Sequence, residues 1–147
     1  MVGQWNRIYG KRGFTQYQCV LPRRAGGEAA RQLLEVLTAR GGASFLCVIK
    51  DCGPQGRGLM SFPMEGISIA LDIPITDDTQ GLVDTLNETV IDLSGRIYLA
   101  KDTFSRREHF VEMERERLAV FQDARRKWDP TGEIRSAQSV RLFGDEP

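Results

Sequence analysis

The order strand, helix, strand occurs twice along this 147-residue chain, and that repetition constrains the fold more than any other feature. Six segments make up the two units, at residues 14–21, 25–40, 43–50, 66–74, 79–93 and 95–100. The second and fifth segments have apolar residues at helical spacing, whereas the other four have the β-branched content or alternation of strands. The order β-α-β-β-α-β predicts a ferredoxin-like α+β fold, with one antiparallel sheet and both helices on the same face.

The parity of the strands predicts which side chains lie on the sheet face that the helices leave open. In segment 66–74 the apolar set must face the helices, and it consists of Ile67, Ile69, Leu71 and Ile73. The opposite face is expected to carry a polar set, consisting of Gln16, Gln18, Lys50, Ser68 and Tyr98. This set is too polar for a core and is typical of a wall against a polar ligand or a second domain. The alternative is an ordinary solvated face of an antiparallel sheet.

A long C-terminal helix is predicted after the second unit. Ser105 and Glu108 have the spacing of a capping box, and the helix is expected to run to about Lys127 before Asp129-Pro130 ends it. Six apolar residues are expected near one face of this helix: Phe110, Met113, Val120, Phe121, Ala124 and Trp128. The remaining residues, 131–147, are expected to be irregular.

The chain is therefore divided into an N-terminal arm (1–13), a main domain (14–130) and a C-terminal tail (131–147). The arm contains Trp5, Ile8 and Tyr9 among polar residues and glycines. The aromatic residues Trp5 and Tyr9 either dock onto another part of a larger protein or pack on the edge of this domain.

Composition excludes several classes of function. Twenty Lys and Arg balance twenty Asp and Glu, and residues 43–50 lack the aromatic pattern of an RNA-binding strand, so nucleic acid is not an expected partner. The single histidine, His109, argues against most zinc sites and Ser-His-Asp triads, and no metal is expected. No apolar run reaches the roughly 18–20 residues of a membrane span, and no signal peptide is evident.

Three cysteines without CxxC spacing are typical of reduced thiols in a cytoplasmic protein. Parity places Cys19 and Cys47 on the helix side of the sheet, which predicts inert core thiols. Cys52 is expected in the loop that follows the second strand.

Six motifs lie along residues 14–142: TQYQCVLP (15–22), ASFLCVIK (43–50), LMSFPMEG (59–66), LDIP (71–74), GRIYLAKD (95–102) and RRKWDP (125–130). In family order they resemble the C-terminal substrate (cap) domain of FAD-linked oxidoreductases of the vanillyl-alcohol-oxidase type. Within that family they are most similar to the flavin subunits of decaprenylphosphoryl-ribose 2′-epimerases. The resemblance implies a substrate-side fragment of an enzyme that oxidises a CH–OH group of a sugar or polyol. The FAD would be bound mainly by another domain or subunit, because this chain has no Gly-rich phosphate loop followed by a helix.

The resemblance also implies roles for individual residues. Gln16, Gln18, Lys50 and Ser68 would line the sugar site, while Tyr98 and Lys101 would stand beside the isoalloxazine as catalytic and cofactor-binding residues. A fixed lysine suits that place, since hydride transfer leaves negative charge on the N1–C2=O edge of the flavin. On its own the chain is expected to bind no FAD tightly, and its uncovered surfaces predict a homo-oligomer.

Three positions depart from the epimerase pattern. Ala70 stands where those subunits have a cysteine, and Ser68 stands at their asparagine position. An aromatic residue of the pattern is replaced by Cys52. A free-standing ferredoxin-like module that binds or senses a small molecule is the alternative function.

Overall fold

A computed structural model describes residues 3, 5–42 and 44–146, apart from the side chains of Trp5 and Asn6. The strands are β1 (Phe14–Pro22), β2 (Cys47–Cys52), β3 (Gly66–Pro74) and β4 (Arg96–Ile97). The helices are α1 (Gly26–Ala39), α2 (Thr79–Asp92), α3 (Arg107–Trp128) and α4 (Ala137–Phe143). Short 3-10 turns occupy Trp5–Tyr9, Arg23–Ala25 and Leu99–Lys101. The predicted order β-α-β-β-α-β is confirmed.

The sheet is antiparallel throughout, in the order β2-β3-β1-β4. The main core joins one face of this sheet to α1 and α2 together, and it includes Leu33 of α1, Leu86 of α2 and Ile69 of β3. Both helices therefore lie on the same face, which confirms the α+β arrangement with an open sheet face. In the central pairing Gln16 of β1 lies opposite Asp72 of β3, and Gln18 lies opposite Ala70.

A buried polar chain crosses the helix side of this core. The Tyr17 hydroxyl donates to Oδ1 of Asn87 at 3.0 Å, and Nδ2 of Asn87 donates to Oγ of Ser105 at 3.0 Å. All three residues are buried, and burial raises the pKa of the Tyr17 hydroxyl well above its usual value. These hydrogen bonds join β1, α2 and the segment before α3, and they satisfy polar groups that are removed from water.

Two predicted strands have different bounds in the structure. The strand expected at 43–50 begins at Cys47 and extends to Cys52; Ala43 lies outside the described residues. The strand expected at 95–100 has only two residues, because the chain turns into the 3-10 helix Leu99–Lys101. The amide of Gln138 donates to the carbonyl of Leu99 at 2.7 Å and so holds this turn from the C-terminal side.

The capping box predicted at Ser105 and Glu108 is wrong. The hydroxyl of Ser105 faces inward to Asn87, its backbone N–H donates to Oδ1 of Asp102 at 2.9 Å, and α3 begins at Arg107 without a side-chain cap. The backbone of α3 has non-helical angles at Arg115 (φ 11°, ψ −92°).

The predicted apolar face of α3 is confirmed only in part. The buried residues are Phe110, Glu114 and Leu118, whereas Val120 is 52% exposed and Trp128 is 88% exposed. Phe121 and Met113 do pack against the core clusters. Phe110, Glu114, Leu118 and Phe121 keep helical spacing on both sides of Arg115, and the error in the predicted face is the inclusion of Val120 and Trp128.

The tail expected to be irregular contains α4. Ser136 and Ser139 form a reciprocal capping box at its start, and Gly144 ends it in the left-handed conformation. Leu142 is fully buried in a second apolar cluster with Phe110 and Leu118 of α3. The division of the chain into arm, domain and tail stays a prediction.

Tyr9, in the described part of the N-terminal arm, lies against the sheet. Tyr9 is 4% exposed, and its ring stacks on Phe14 and meets the edge of Phe45. The interpretation that Tyr9 packs on the edge of this domain is confirmed. Ile8 is partly exposed, and the side chain of Trp5 lies outside what the structure describes.

The cysteine predictions are confirmed in part. Cys19 is fully buried, and burial raises its pKa to about 12. Cys47 is exposed, so its assignment to the core is wrong. It faces the helix side, but β2 is the edge strand, and its neighbour on that side, Ile49, is also exposed. Cys52 ends β2 and is half-buried rather than lying in the loop.

Among the described residues, no helix is both long enough and apolar enough to span a bilayer.

Candidate functional site

A small pocket of about 170 Å³ lies on the open face of the sheet, where β1, β2 and β3 meet the turn after β4. Four of the residues predicted from the sequence meet there: Gln16, Gln18, Lys50 and Lys101. We call this pocket the sheet-face pocket. The rest of its lining comprises Tyr17, Leu46, Val48, Ala70, Leu71 and Asp72. The wall is thus polar along β1 and mixed toward β2, where Leu46 and Val48 lie beside Lys50.

Lys101 reaches this pocket from the 3-10 turn Leu99–Lys101. Its Nζ donates to Oε1 of Gln16 at 2.6 Å. An ammonium has three N–H donors, so this single bond leaves capacity for a bound ligand. The side chain is half-buried, which places its charge at the boundary between the protein and the pocket.

Asp72 is a pocket residue whose role the sequence analysis missed. Its Oδ1 accepts from Nε2 of Gln16 at 3.1 Å, and its Oδ2 accepts from the Tyr9 hydroxyl at 3.0 Å. The residue is only 6% exposed. The signal was present in the alternation of β3, which places Asp72 on the same face as Ser68, but nothing in the sequence specified its partner Tyr9.

Ser68 and Tyr98 lie beside the pocket rather than in its wall. Nε2 of Gln18 donates to the buried hydroxyl of Ser68 at 3.0 Å, so Ser68 holds the side-chain amide of Gln18 in place. The ring of Tyr98 packs on Phe62, with 4.6 Å between ring centroids. Phe62 belongs to the long loop between β2 and β3, and this loop therefore covers the part of the open face next to β4.

The loop is held in place by two arginines. Arg96 Nη1 and Arg117 Nη2 both donate to the carbonyl of Ser61, at 3.0 and 2.7 Å. Glu114 lies behind them, with its Oε2 2.7 Å from Nη1 of Arg117. Burial raises the pKa of the Glu114 carboxyl, and the charges of Arg117 and Arg96 act in the opposite direction.

A second cleft of about 330 Å³ adjoins the sheet-face pocket and shares Gln16 and Lys101 with it. Thr15 lines this cleft, and its buried hydroxyl has no hydrogen-bond partner among the described residues. The pair Gln16 and Lys101 thus stands between two concave surfaces and could contact a separate molecule on each side.

Other candidate groups lie elsewhere. His109 is on α3, where its Nδ1 is 3.8 Å from Oδ1 of Asp84. Within the part of the chain that the structure describes, no three His, Cys, Asp or Glu side chains are grouped to hold a metal ion. The polar side chains that line the sheet-face pocket are the amides of Gln16 and Gln18, the carboxylate of Asp72 and the ammonium groups of Lys50 and Lys101.

A curated protein matches almost all of this sequence. The chain is 37% identical over 142 residues to decaprenylphosphoryl-beta-D-ribose oxidase of Mycolicibacterium smegmatis. The match covers 97% of the present chain. The resemblance predicted from the sequence is confirmed.

The chain spans 30% of the length of this oxidase, which is consistent with a C-terminal part of such an enzyme. Because the match leaves out so little of the present chain, all four strands and the turn that carries Lys101 lie within it. No family model matches the sequence.

Proposed function

We propose that this chain forms the substrate-side part of an FAD-dependent oxidoreductase that oxidises a CH–OH group of a sugar or polyol, including a polyprenyl-linked sugar. The observation that carries the proposal is the Lys101–Gln16 hydrogen bond at the wall of a polar pocket. Its support is the match to an oxidase whose name gives a ribose derivative as the molecule oxidised.

The sheet-face pocket suits the polar part of such a substrate. Gln16 and Gln18 offer amide donors and acceptors to hydroxyl groups, and Lys50 adds a cation at the β2 side. A volume of about 170 Å³ is below that of sites that enclose a drug-sized ligand, roughly 300–1,000 Å³. Only the sugar or polyol would therefore lie in the pocket, and a polyprenyl chain would lie outside it.

The donor set also fits the edge of a flavin. FAD, when bound, supplies the acceptor for the hydride that leaves the CH–OH carbon. Lys101 would hold a fixed positive charge at the boundary of the site, where such a charge stabilises an electron-rich edge. Tyr98, which packs on Phe62 beside the pocket, is proposed as a second cofactor contact.

Most contacts to FAD would come from an FAD-binding domain or subunit that covers the open face. The concave surfaces around Lys101 are too small to enclose a dinucleotide, so the isolated chain should bind no FAD tightly. Without that partner the chain is proposed to self-associate, since Phe45, Leu46 and Ile49 leave apolar surface exposed near β2. The proposed location is the cytoplasm.

The test is to join the chain to an FAD-binding part and to mix the yellow protein with sugars and polyols under anaerobic conditions. The proposal expects at least one of them to bleach the visible band of oxidised flavin. If none does, and if the isolated chain instead binds a small molecule with a micromolar dissociation constant, a free-standing binding module replaces the proposed enzyme.

A further inference from the structure

Four side chains form a continuous hydrogen-bonded row across the open face of the sheet. The Tyr9 hydroxyl donates to Oδ2 of Asp72, Nε2 of Gln16 donates to Oδ1 of Asp72, and Nζ of Lys101 donates to Oε1 of Gln16. The row, called here the polar row, joins the N-terminal arm, two central strands and the turn after β4.

The chemistry of the row admits only one orientation of the Gln16 amide. A carboxylate only accepts hydrogen bonds and an ammonium only donates them, whereas a glutamine amide has one end of each kind. If the amide of Gln16 were rotated by half a turn, its oxygen would face the Asp72 carboxylate and its NH₂ would face the Lys101 ammonium. Both contacts would be repulsive, so Asp72 forces the Gln16 oxygen toward Lys101.

Asp72 is itself held from several sides. The residue is 6% exposed, and its backbone N–H lies 3.0 Å from Oγ of Ser44. Its second carboxylate oxygen accepts a hydrogen bond from the Tyr9 hydroxyl, and the Tyr9 ring is stacked on Phe14 with 4.3 Å between ring centroids. The arm thus closes one end of the row with a buried and oriented donor.

We infer that Asp72, held by Tyr9, is a positioning residue that orients the Gln16 amide and through it places the Lys101 ammonium. Its consequence for catalysis rests on the proposed function, but the orientation of the side chains belongs to this chain alone. Gln16 then presents a fixed N–H and a fixed lone pair to the pocket. Because this side chain is already ordered, it loses little further conformational entropy when a ligand binds.

The orientation can be measured by NMR on the isolated chain through the side-chain amide signals of Gln16 and Gln18. In the wild type both amides should give dispersed signals with slow exchange of their protons. Asp72→Ala should move the Gln16 signals to the position of a free amide and speed their exchange, while the Gln18 signals, held by Ser68, stay in place. Tyr9→Phe should give a smaller shift in the same direction.

Asp72→Asn separates the role of an acceptor from the role of charge. Its amide oxygen can still accept from Gln16 while its NH₂ donates to the Tyr9 oxygen, so the Gln16 signals should remain dispersed. Unchanged Gln16 signals in Asp72→Ala would overturn the inference. Equal movement of the Gln16 and Gln18 signals would overturn it too, since that shows a general loss of structure.

In the assembled enzyme, Asp72→Ala should lower the rate of flavin reduction by ~10²-fold with little change in KM, because misplacement of a reacting group by about 1 Å can have an effect of that size. A wild-type rate in this variant would contradict the catalytic consequence. If the wild-type assembly does not reduce its flavin at all, the proposed function fails, and the NMR comparison still decides the inference about Asp72.

Discussion

Nζ of Lys101 donates to Oε1 of Gln16 across 2.6 Å, although the two residues are 85 positions apart in the sequence. The contact depends on the early end of β4. If the strand continued at the observed register, in which Ile97 lies opposite Cys19, Lys101 would lie opposite Thr15 and would share the helix side of the sheet with Ile97. The 3-10 turn Leu99–Lys101 instead folds the chain back, and the ammonium reaches the centre of the open face.

Asn87 is predicted to be a major source of stability. Asn87→Ala would leave the buried Tyr17 and Ser105 hydroxyls without their partner, at a cost of about 1–3 kcal/mol for each unsatisfied group. The free energy of unfolding measured in urea should fall accordingly. The control is Glu88→Ala at the next, exposed position of α2, and equal losses in the two variants would contradict the prediction.

Leu142 tests whether the tail is part of the folded core. Its side chain is fully buried against Phe110 and Leu118, so Leu142→Ala should lower the free energy of unfolding by about 2–5 kcal/mol. Ile134→Ala serves as the control, because Ile134 is 74% exposed. If thermal or urea unfolding is unchanged by Leu142→Ala, α4 does not belong to the cooperative unit.

Glu114 should make stability depend on pH. Burial raises the pKa of its carboxyl above the usual value of 4.5, so the folded protein holds this proton more tightly than the unfolded chain does. The resulting stabilisation is complete below the usual value and is lost as the pH rises through the raised pKa.

The variant Glu114→Gln keeps the shape and removes the titration. Its free energy of unfolding relative to the wild type should therefore increase as the pH rises from about 4 to 7. Glu116→Gln, at an exposed position of α3, should show no such trend. A difference that decreases with pH would mean that the ion pair with Arg117 outweighs burial.

The three cysteines should differ sharply in reactivity. Cys19 is fully buried with a pKa of about 12, so almost none of it is thiolate at neutral pH. Cys47 is exposed, and Cys52 is half-buried at the end of β2. Alkylation followed by mass spectrometry should modify Cys47 and Cys52 in the native protein and Cys19 only after denaturation; native labelling of Cys19 at the same rate would contradict this.

Local patterns were sufficient to predict most of the fold. The alternation from Ile67 to Ile73 identified β3 with its observed bounds, and the apolar stripes of α1 and α2 gave the helices to within two residues. From the strand order and parity alone, the open face and the positions of Gln16, Gln18 and Lys50 on it could be predicted. These features depend on a periodicity of side chains that the sequence displays directly.

The errors arise where tertiary contacts override a local preference. Ser105 has the spacing of a cap, but its hydroxyl bonds to the distant Asn87 instead. The docking of α4 depends on packing between α3 and the tail, which no sequence period records. For the same reason Asp72 and Tyr9 could not be joined from the sequence, because 63 positions separate them.

The most direct test of the proposed function is Lys101→Met in the assembled, FAD-loaded enzyme. Methionine keeps much of the bulk of the side chain and removes its charge, so the free energy of unfolding should change little for this half-buried residue. The rate of flavin reduction by substrate, measured by stopped flow, should fall by ~10²–10³-fold if the fixed charge stabilises the reduced state. A variant that reduces its flavin at the wild-type rate would contradict the assignment of Lys101 to the chemistry.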